Sequence, residues 1–133
     1  MFRVTREITF CYGHRLLNYD GKCRHLHGHN GKAVLTLEAR DLDPLGMVVD
    51  FSRIKSVMQQ WIDDNLDHRM LLHRDDPMLP FLRRQQEPVC VMEVNPTAEN
   101  IAKLLFDFAV SQGFPVVEVK LWETDSCYAT YTG

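Results

Sequence analysis

The sequence predicts one α+β domain over residues 1–133, a four-stranded antiparallel sheet with two helices on one face, in the order ββααββ. Three observations predict it. Alternating apolar residues mark strands at both ends of the chain, two apolar stripes at helical spacing lie between them, and 133 residues with 45% hydrophobic and 25% charged content suit one ordinary core. Hairpins and helices that come in blocks make an antiparallel sheet with the helices gathered on one side.

Phe2, Val4, Ile8, Phe10 and Tyr12 repeat every second position, interrupted only by Arg6, which is the pattern of a half-buried strand. Ala33, Leu35, Leu37 and Ala39 repeat it on odd positions as the second strand. Asp43, Pro44 and Gly46 then mark a turn before Met47, Val48 and Val49. Ile54, Val57, Met58, Trp61 and Ile62 follow the stripe of an amphipathic helix, with Asp50 or Ser52 available as its N-cap. A second helix is expected to start near Asn95, Pro96 and Thr97, to carry Ile101, Leu104, Leu105 and Phe108 on one face, and to stop at Gly113. Residues 73–94 between the helices contain three prolines and read as a long loop with a short helix around residues 78–83. Residues 116–124 and 127–131 read as two closing strands around a turn at Asp125 and Ser126. Four strands leave two sheet edges to cover, which predicts pairing between copies of the chain.

A formal net charge of −3 gives no basic footprint for nucleic acid or for an anionic membrane surface. A small-molecule partner is expected instead. No apolar run approaches the roughly 20 residues of a membrane span, and MFRVTREITF lacks the apolar segment of a signal peptide, so a cytoplasmic protein is expected. Cys11, Cys23, Cys90 and Cys127 form no C-x-x-C pair, and a reducing compartment leaves each as a packing residue, a ligand or a reactive thiol. No GxGxxG follows a strand, so no nicotinamide is expected.

Three of the six histidines, His25, His27 and His29, fall at alternate positions. On an extended chain neighbours stand about 7 Å apart and the outer pair about 13 Å, from a rise of roughly 3.3 Å per residue. A zinc–nitrogen bond of about 2.0–2.1 Å requires two ligand nitrogens within about 4 Å, so the three cannot share one ion. At most two neighbours converge, and a third ligand must come from His14, His68 or His73. Strand phase favours His14, which continues the Phe10 and Tyr12 face, while His27 and His29 continue the Ala33 and Leu35 face. A hairpin matching these faces sets His14 opposite His27 and centres its turn on Asp20 and Gly21, an Asp-Gly hairpin signal. Three histidines with an open position make a catalytic zinc site, whereas Cys23 as a fourth ligand would make it structural. Loop histidines with no metal are the plainer reading.

Glu123 shares its strand phase with Val117, Val119 and Leu121, so its carboxylate continues an apolar face and needs a partner. An internal Arg or Lys is one candidate. A ligand that presents a planar pair of donors is the other. Asp67 beside His68 follows the first helix and reads either as a helix-end histidine or as an imidazole oriented for proton transfer. Cys23, four residues before His27, would stand beside a metal and, with His68 close, could act as a base. His25 and His73 are expected to be solvated.

These stretches together resemble a known family. FCYGH at residues 10–14, C-x-x-x-H-G-H at residues 23–29, residues 49–51, LDH at residues 66–68, NPTAEN at residues 95–100 and Glu123-Thr124 are similar to the 6-pyruvoyltetrahydropterin synthase and 6-carboxytetrahydropterin synthase family of the tunnelling fold. The resemblance covers nearly the whole chain. It implies Zn2+ on His14, His27 and His29, Cys23 as catalytic thiol with Asp67 and His68 completing a proton-transfer triad, and Glu123 as pterin anchor with Thr97 and Glu99 nearby. It also implies a homohexamer that closes a barrel. The three-residue gap between Cys23 and His27 resembles the bacterial carboxy branch, which feeds queuosine and other 7-deazapurine pathways. A lyase acting on 7,8-dihydroneopterin triphosphate is therefore expected, with the pyruvoyl-type synthase or a related side-chain lyase as alternative and a non-catalytic zinc module as the alternative of another class. Tyr12 and Gly13 stand where the family usually has alanines, and residues 73–94 are longer than in its shortest bacterial members.

Overall fold

The computed structural model describes all of residues 1–133. Strands β1 (Phe2–His14) and β2 (His27–Ala39) form the long antiparallel ladder, from Phe2 opposite Ala39 to His14 opposite His27, which is the register the apolar phases require. The connection is not the tight turn expected at Asp20 and Gly21. The ladder ends at His14 and His27, and the loop between them carries a 3-10 turn at Lys22–Arg24. Gly21 sits at φ −81°, whereas a two-residue Asp-Gly hairpin turn needs positive φ there.

Helix α1 (Phe51–Asn65) starts on Asp50, whose carboxylate accepts the Ser52 N–H at 2.8 Å. Strand β3 (Arg69–His73), helix α2 (Met78–Arg84) and strand β4 (Val89–Met92) follow, then helix α3 (Ala98–Ser111), strand β5 (Val116–Thr124) and strand β6 (Cys127–Tyr131). The expected four-stranded antiparallel ββααββ arrangement is thus corrected to six strands and three helices. The sheet order is β4-β3-β1-β2-β5-β6, and it is mixed, because β3 runs parallel to both β1 and β4. The short helix expected around residues 78–83 is present as α2, but the segment around it is a crossover between the parallel strands β3 and β4 and not a long loop.

One face of the sheet holds the core. Ile8, Phe10 and Tyr12 of β1 and Ala33, Leu35 and Leu37 of β2 pack with Ile54, Met58 and Ile62 of α1 and Ile101 and Leu105 of α3. The two long helices therefore share a face, as expected, while α2 lies on the other, its Leu79 and Leu82 packed on Leu72. No helix is long and apolar enough to cross a membrane.

A buried ion pair ties the crossover to the end of β1. The Asp76 side chain is fully buried and accepts from Arg15 Nε at 2.7 Å, from a second Arg15 nitrogen, and from the Met78 N–H at 2.8 Å. Burial pushes the Asp76 carboxyl upward, but the Arg15 bonds and the Met78 N–H outweigh it and hold the group below its ordinary range. A carboxylate depressed in the folded state stabilises the fold above its unfolded value near 3.9, and that contribution is lost as pH falls through the folded value. Asp76→Asn is expected to cost about 3 kcal/mol at pH 7, with the gap to wild type narrowing below about pH 4. Urea denaturation at pH 7 and pH 3 checks both statements; an equal gap at the two values contradicts the ion-pair account.

Candidate metal centre and the groups around it

His14 ends the apolar face of β1, and it is 2% exposed. The ladder sets His27 opposite it, and His29 lies one alternation further along the same face of β2. The three rings converge, with centroids 4.5 Å apart for His14 and His27, 5.0 Å for His14 and His29, and 5.1 Å for His27 and His29. One nitrogen from each lies within 4.8 Å of the other two. His25 and Cys23 are outside this trio, so the closed four-ligand arrangement is not formed.

The rings are oriented by groups behind them. His14 Nδ1 donates to the Pro96 carbonyl at 2.6 Å and His27 Nδ1 donates to the His25 carbonyl at 2.7 Å. A carbonyl only accepts, so these bonds place the proton on Nδ1 and leave Nε2 of both rings with a free lone pair. Burial drives the His14 pKa down, against the opposing pull of the Pro96 carbonyl and Glu123, which keeps the ring in the neutral form a metal needs. His14 Nε2 and His29 Nε2 are 3.1 Å apart. Nitrogens on a tetrahedral zinc lie roughly 3.3 Å apart, so this pair fits one ion. Two imidazoles with Nδ1 tied back and a third nitrogen, from His29, within reach are the donor set of such a site.

Glu123 of β5 reaches the same place. Its carboxylate oxygens are 3.9 Å from Nε2 of His14 and of His29, and the Tyr12 hydroxyl donates to one of them at 3.5 Å. It makes no ion pair with Arg or Lys, so the internal salt bridge is not its partner. Burial, reinforced by Glu123, raises the Tyr12 pKa, and the phenol remains a donor.

Asp67 and His68 are joined to each other but not to the trio. His68 Nδ1 donates to Asp67 at 2.8 Å, and the other Asp67 oxygen accepts the Cys11 N–H at 2.9 Å. Burial raises the Asp67 carboxyl, and the Cys11 N–H and His68 together more than reverse that. His68 has φ +57°, a left-handed conformation uncommon outside glycine, and its side chain is 78% exposed. It borders an open cleft of about 620 Å³ with Cys11, Gly28 and Asn30, the positions that alternate with the trio, while His27 and His29 border it as well. Cys23 is half-buried in the 3-10 turn, its carbonyl accepting the Leu16 N–H at 2.9 Å. Thr97 caps α3 by accepting the Asn100 N–H at 3.1 Å, and Glu99 is exposed in the first turn.

Two residues that the sequence placed only at the start of the second helix hold the site together. Pro96 supplies the carbonyl behind His14, and Asn95 pairs both ways with the Leu17 backbone, accepting its N–H at 2.9 Å and donating to its carbonyl at 3.0 Å. The polar run NPTAEN ahead of an apolar helix was the available signal. Asn95→Ala is expected to lose about 2 kcal/mol and to make the loop after His14 cleavable by trypsin, since it orphans two backbone groups. An unchanged melting temperature and digestion rate would contradict this.

Comparison with known proteins agrees with the geometry. The family model for 6-pyruvoyl tetrahydropterin synthase matches residues 3–133. A Rickettsia conorii protein named 6-carboxy-5,6,7,8-tetrahydropterin synthase is 41% identical, over 96% of this chain and 98% of its own. A Pongo abelii protein named 6-pyruvoyl tetrahydrobiopterin synthase is 33% identical over 98% and 91%. The crystal structure of an uncharacterized protein from Wolinella succinogenes superposes with a TM-score of 0.82 at 29% identity, covering 99% of this chain and 98% of that one. With the family's pattern matched across nearly its whole length, the chain belongs to the 6-pyruvoyl tetrahydropterin synthase family of enzymes.

Proposed function

We propose that the enzyme converts 7,8-dihydroneopterin triphosphate and water into 6-carboxy-5,6,7,8-tetrahydropterin, acetaldehyde and triphosphate, with zinc on His14, His27 and His29. The observation that carries this reading is the convergence of three imidazoles beside the carboxylate of Glu123, which no Arg or Lys pairs. The carboxy product is favoured by the name of the 41% identical relative and by the short gap between Cys23 and His27.

Bound zinc would supply Lewis-acid polarisation of the side-chain hydroxyls. Glu123 accepts the 2-amino and ring N–H donors of the pterin in bidentate fashion. Tyr12 holds that carboxylate in place through its hydroxyl. Thr97 keeps its hydroxyl proton free for the ring because its oxygen caps the helix as an acceptor, and Glu99 stands at the same helix end. Cys23 removes and returns protons on the side chain, and His68, oriented by Asp67, moves the proton on the other side. His68 makes no bond to the trio within one chain, and the role is assigned to the His68 that a neighbouring chain brings in. The exposed edge strands β4 and β6, with Val91 and Tyr128 on their surfaces, support a homohexamer closed through sheet edges. A cytoplasmic place in queuosine or another 7-deazapurine pathway completes the reading.

The pyruvoyl-type reaction, in which triphosphate is eliminated and all side-chain carbons are kept, is the second reading, supported by the name of the Pongo abelii relative. Anaerobic incubation of zinc-loaded protein with 7,8-dihydroneopterin triphosphate, followed by mass identification of the pterin, is expected to give the carboxy product and acetaldehyde. A pterin that retains all side-chain carbons would establish the second reading, and unchanged substrate would end both.

A further inference from the structure

We infer that the loop joining β1 to β2 is the triphosphate subsite, with Arg24, His25 and the backbone amides of Asn18, Tyr19 and Asp20 as its donors; this rests on the proposed substrate. The groups follow one another in a line. Glu123 stands at Tyr12, His14 and His29, and His27 comes next along β2 as the last pair of the ladder. His25 follows, its carbonyl on His27 Nδ1, at the rim of a cavity of about 610 Å³ that Arg15, Tyr19 and Arg24 also line. A substrate whose ring is held at Glu123 and whose hydroxyls lie at the histidines has its phosphoester on the carbon next to the last hydroxyl. Its phosphates are then directed beyond His27, into this cavity.

The cavity has donors to meet them. Arg15 is committed to Asp76, but Arg24 pairs with no carboxylate. Its Nε donates to His25 Nε2 at 3.3 Å and one terminal nitrogen reaches the Asp20 carbonyl at 3.5 Å, which leaves the other terminal nitrogen free. The N–H groups of Asn18, Tyr19 and Asp20, residues that line the cavity, make no hydrogen bond within the chain. Successive free amides next to a guanidinium form an anion-binding concavity. The Asp20 carboxylate also lines the cavity and lowers its positive charge, so binding depends on these directed donors and not on a broad field. The loop is held in advance by the Leu16 to Cys23 bond and by the two Asn95 bonds to Leu17, which lowers the ordering cost of binding.

The test compares dissociation constants of the zinc-loaded protein for 7,8-dihydroneopterin triphosphate and for 7,8-dihydroneopterin, read by pterin fluorescence. Wild type is expected to bind the triphosphate ester at least about tenfold more tightly. Arg24→Ala/His25→Ala should erase that preference while zinc content and affinity for the phosphate-free pterin stay unchanged. Arg24→Lys should retain part of it, and Arg84→Ala, an exposed arginine on α2, should retain all of it. A preference that survives the double substitution, an equal loss for both ligands, or no binding of either ligand to wild type overturns the subsite. Phosphate-dependent binding that needs Arg24 and His25 in a protein that turns over no pterin supports the subsite and sinks the lyase reading alone.

Discussion

His14→Ala is expected to bring zinc content from about one per chain to a small fraction of that, and turnover with it. Loss of a group that merely orients a metal-bound histidine already costs about 10- to 100-fold in affinity, so loss of one of three ligands should exceed about 100-fold. His14 is also the proposed ligand set most firmly by the fold, being buried at the end of the β1 core face with its Nδ1 on the Pro96 carbonyl. His25→Ala provides the contrast, because only the backbone of His25 supports His27, and its zinc should stay near wild type. Metal analysis after dialysis, with circular dichroism to establish folding, reads both. Full zinc in His14→Ala together with loss in His25→Ala would end the assignment.

What the sequence made legible follows from the range over which its signals act. Side-chain alternation is a local property, and matching two apolar faces was enough to set His14 opposite His27 without any knowledge of the loop between them. The same alternation was absent from RMLLH and VCVM. Strands of five and four residues leave little room for a period, and Leu71 and Leu72 are both buried because α1 and α3 cover one face while α2 covers the other. Two parallel strands were therefore hidden, β3 just ahead of the segment that its prolines made look like a loop and β4 inside it. The turn was misplaced for a related reason: Asp20-Gly21 has hairpin composition, but the backbone hydrogen bonds of the loop run from Leu16 to Cys23 and from Leu17 to Asn95, a residue remote in sequence. The Arg15–Asp76 pair was invisible on the same grounds, since nothing local distinguishes a buried aspartate in a crossover from an exposed one.

Mixing Cys23→Ala chains with His68→Ala chains is expected to restore activity that neither has alone. Each variant by itself should lose about 10²- to 10⁴-fold in turnover, the usual worth of a positioned acid or base, while keeping its zinc and fold. Both side chains are away from the core: Cys23 is half-buried in a surface loop and His68 is mostly exposed at the end of α1. Within one chain His68 makes its bonds to Asp67 and Cys11, on the β3 side of β1, while the trio lies between β1 and β2. If a neighbouring chain brings its Asp67 and His68 to the trio, a mixed oligomer contains sites in which Cys23 comes from one parent and His68 from the other. Random assembly of equal amounts makes about a quarter of the sites intact, so recovered activity should approach about 25% of wild type and should grow with the time allowed for chain exchange. Activity that stays at the level of the separate variants after exchange, or a fully active monomer by sedimentation at assay concentration, would return all the machinery to a single chain. In that case the exposed imidazole at φ +57° would be only a helix-end histidine, and proton delivery to the pterin would have to come from Tyr12 or Cys23 alone.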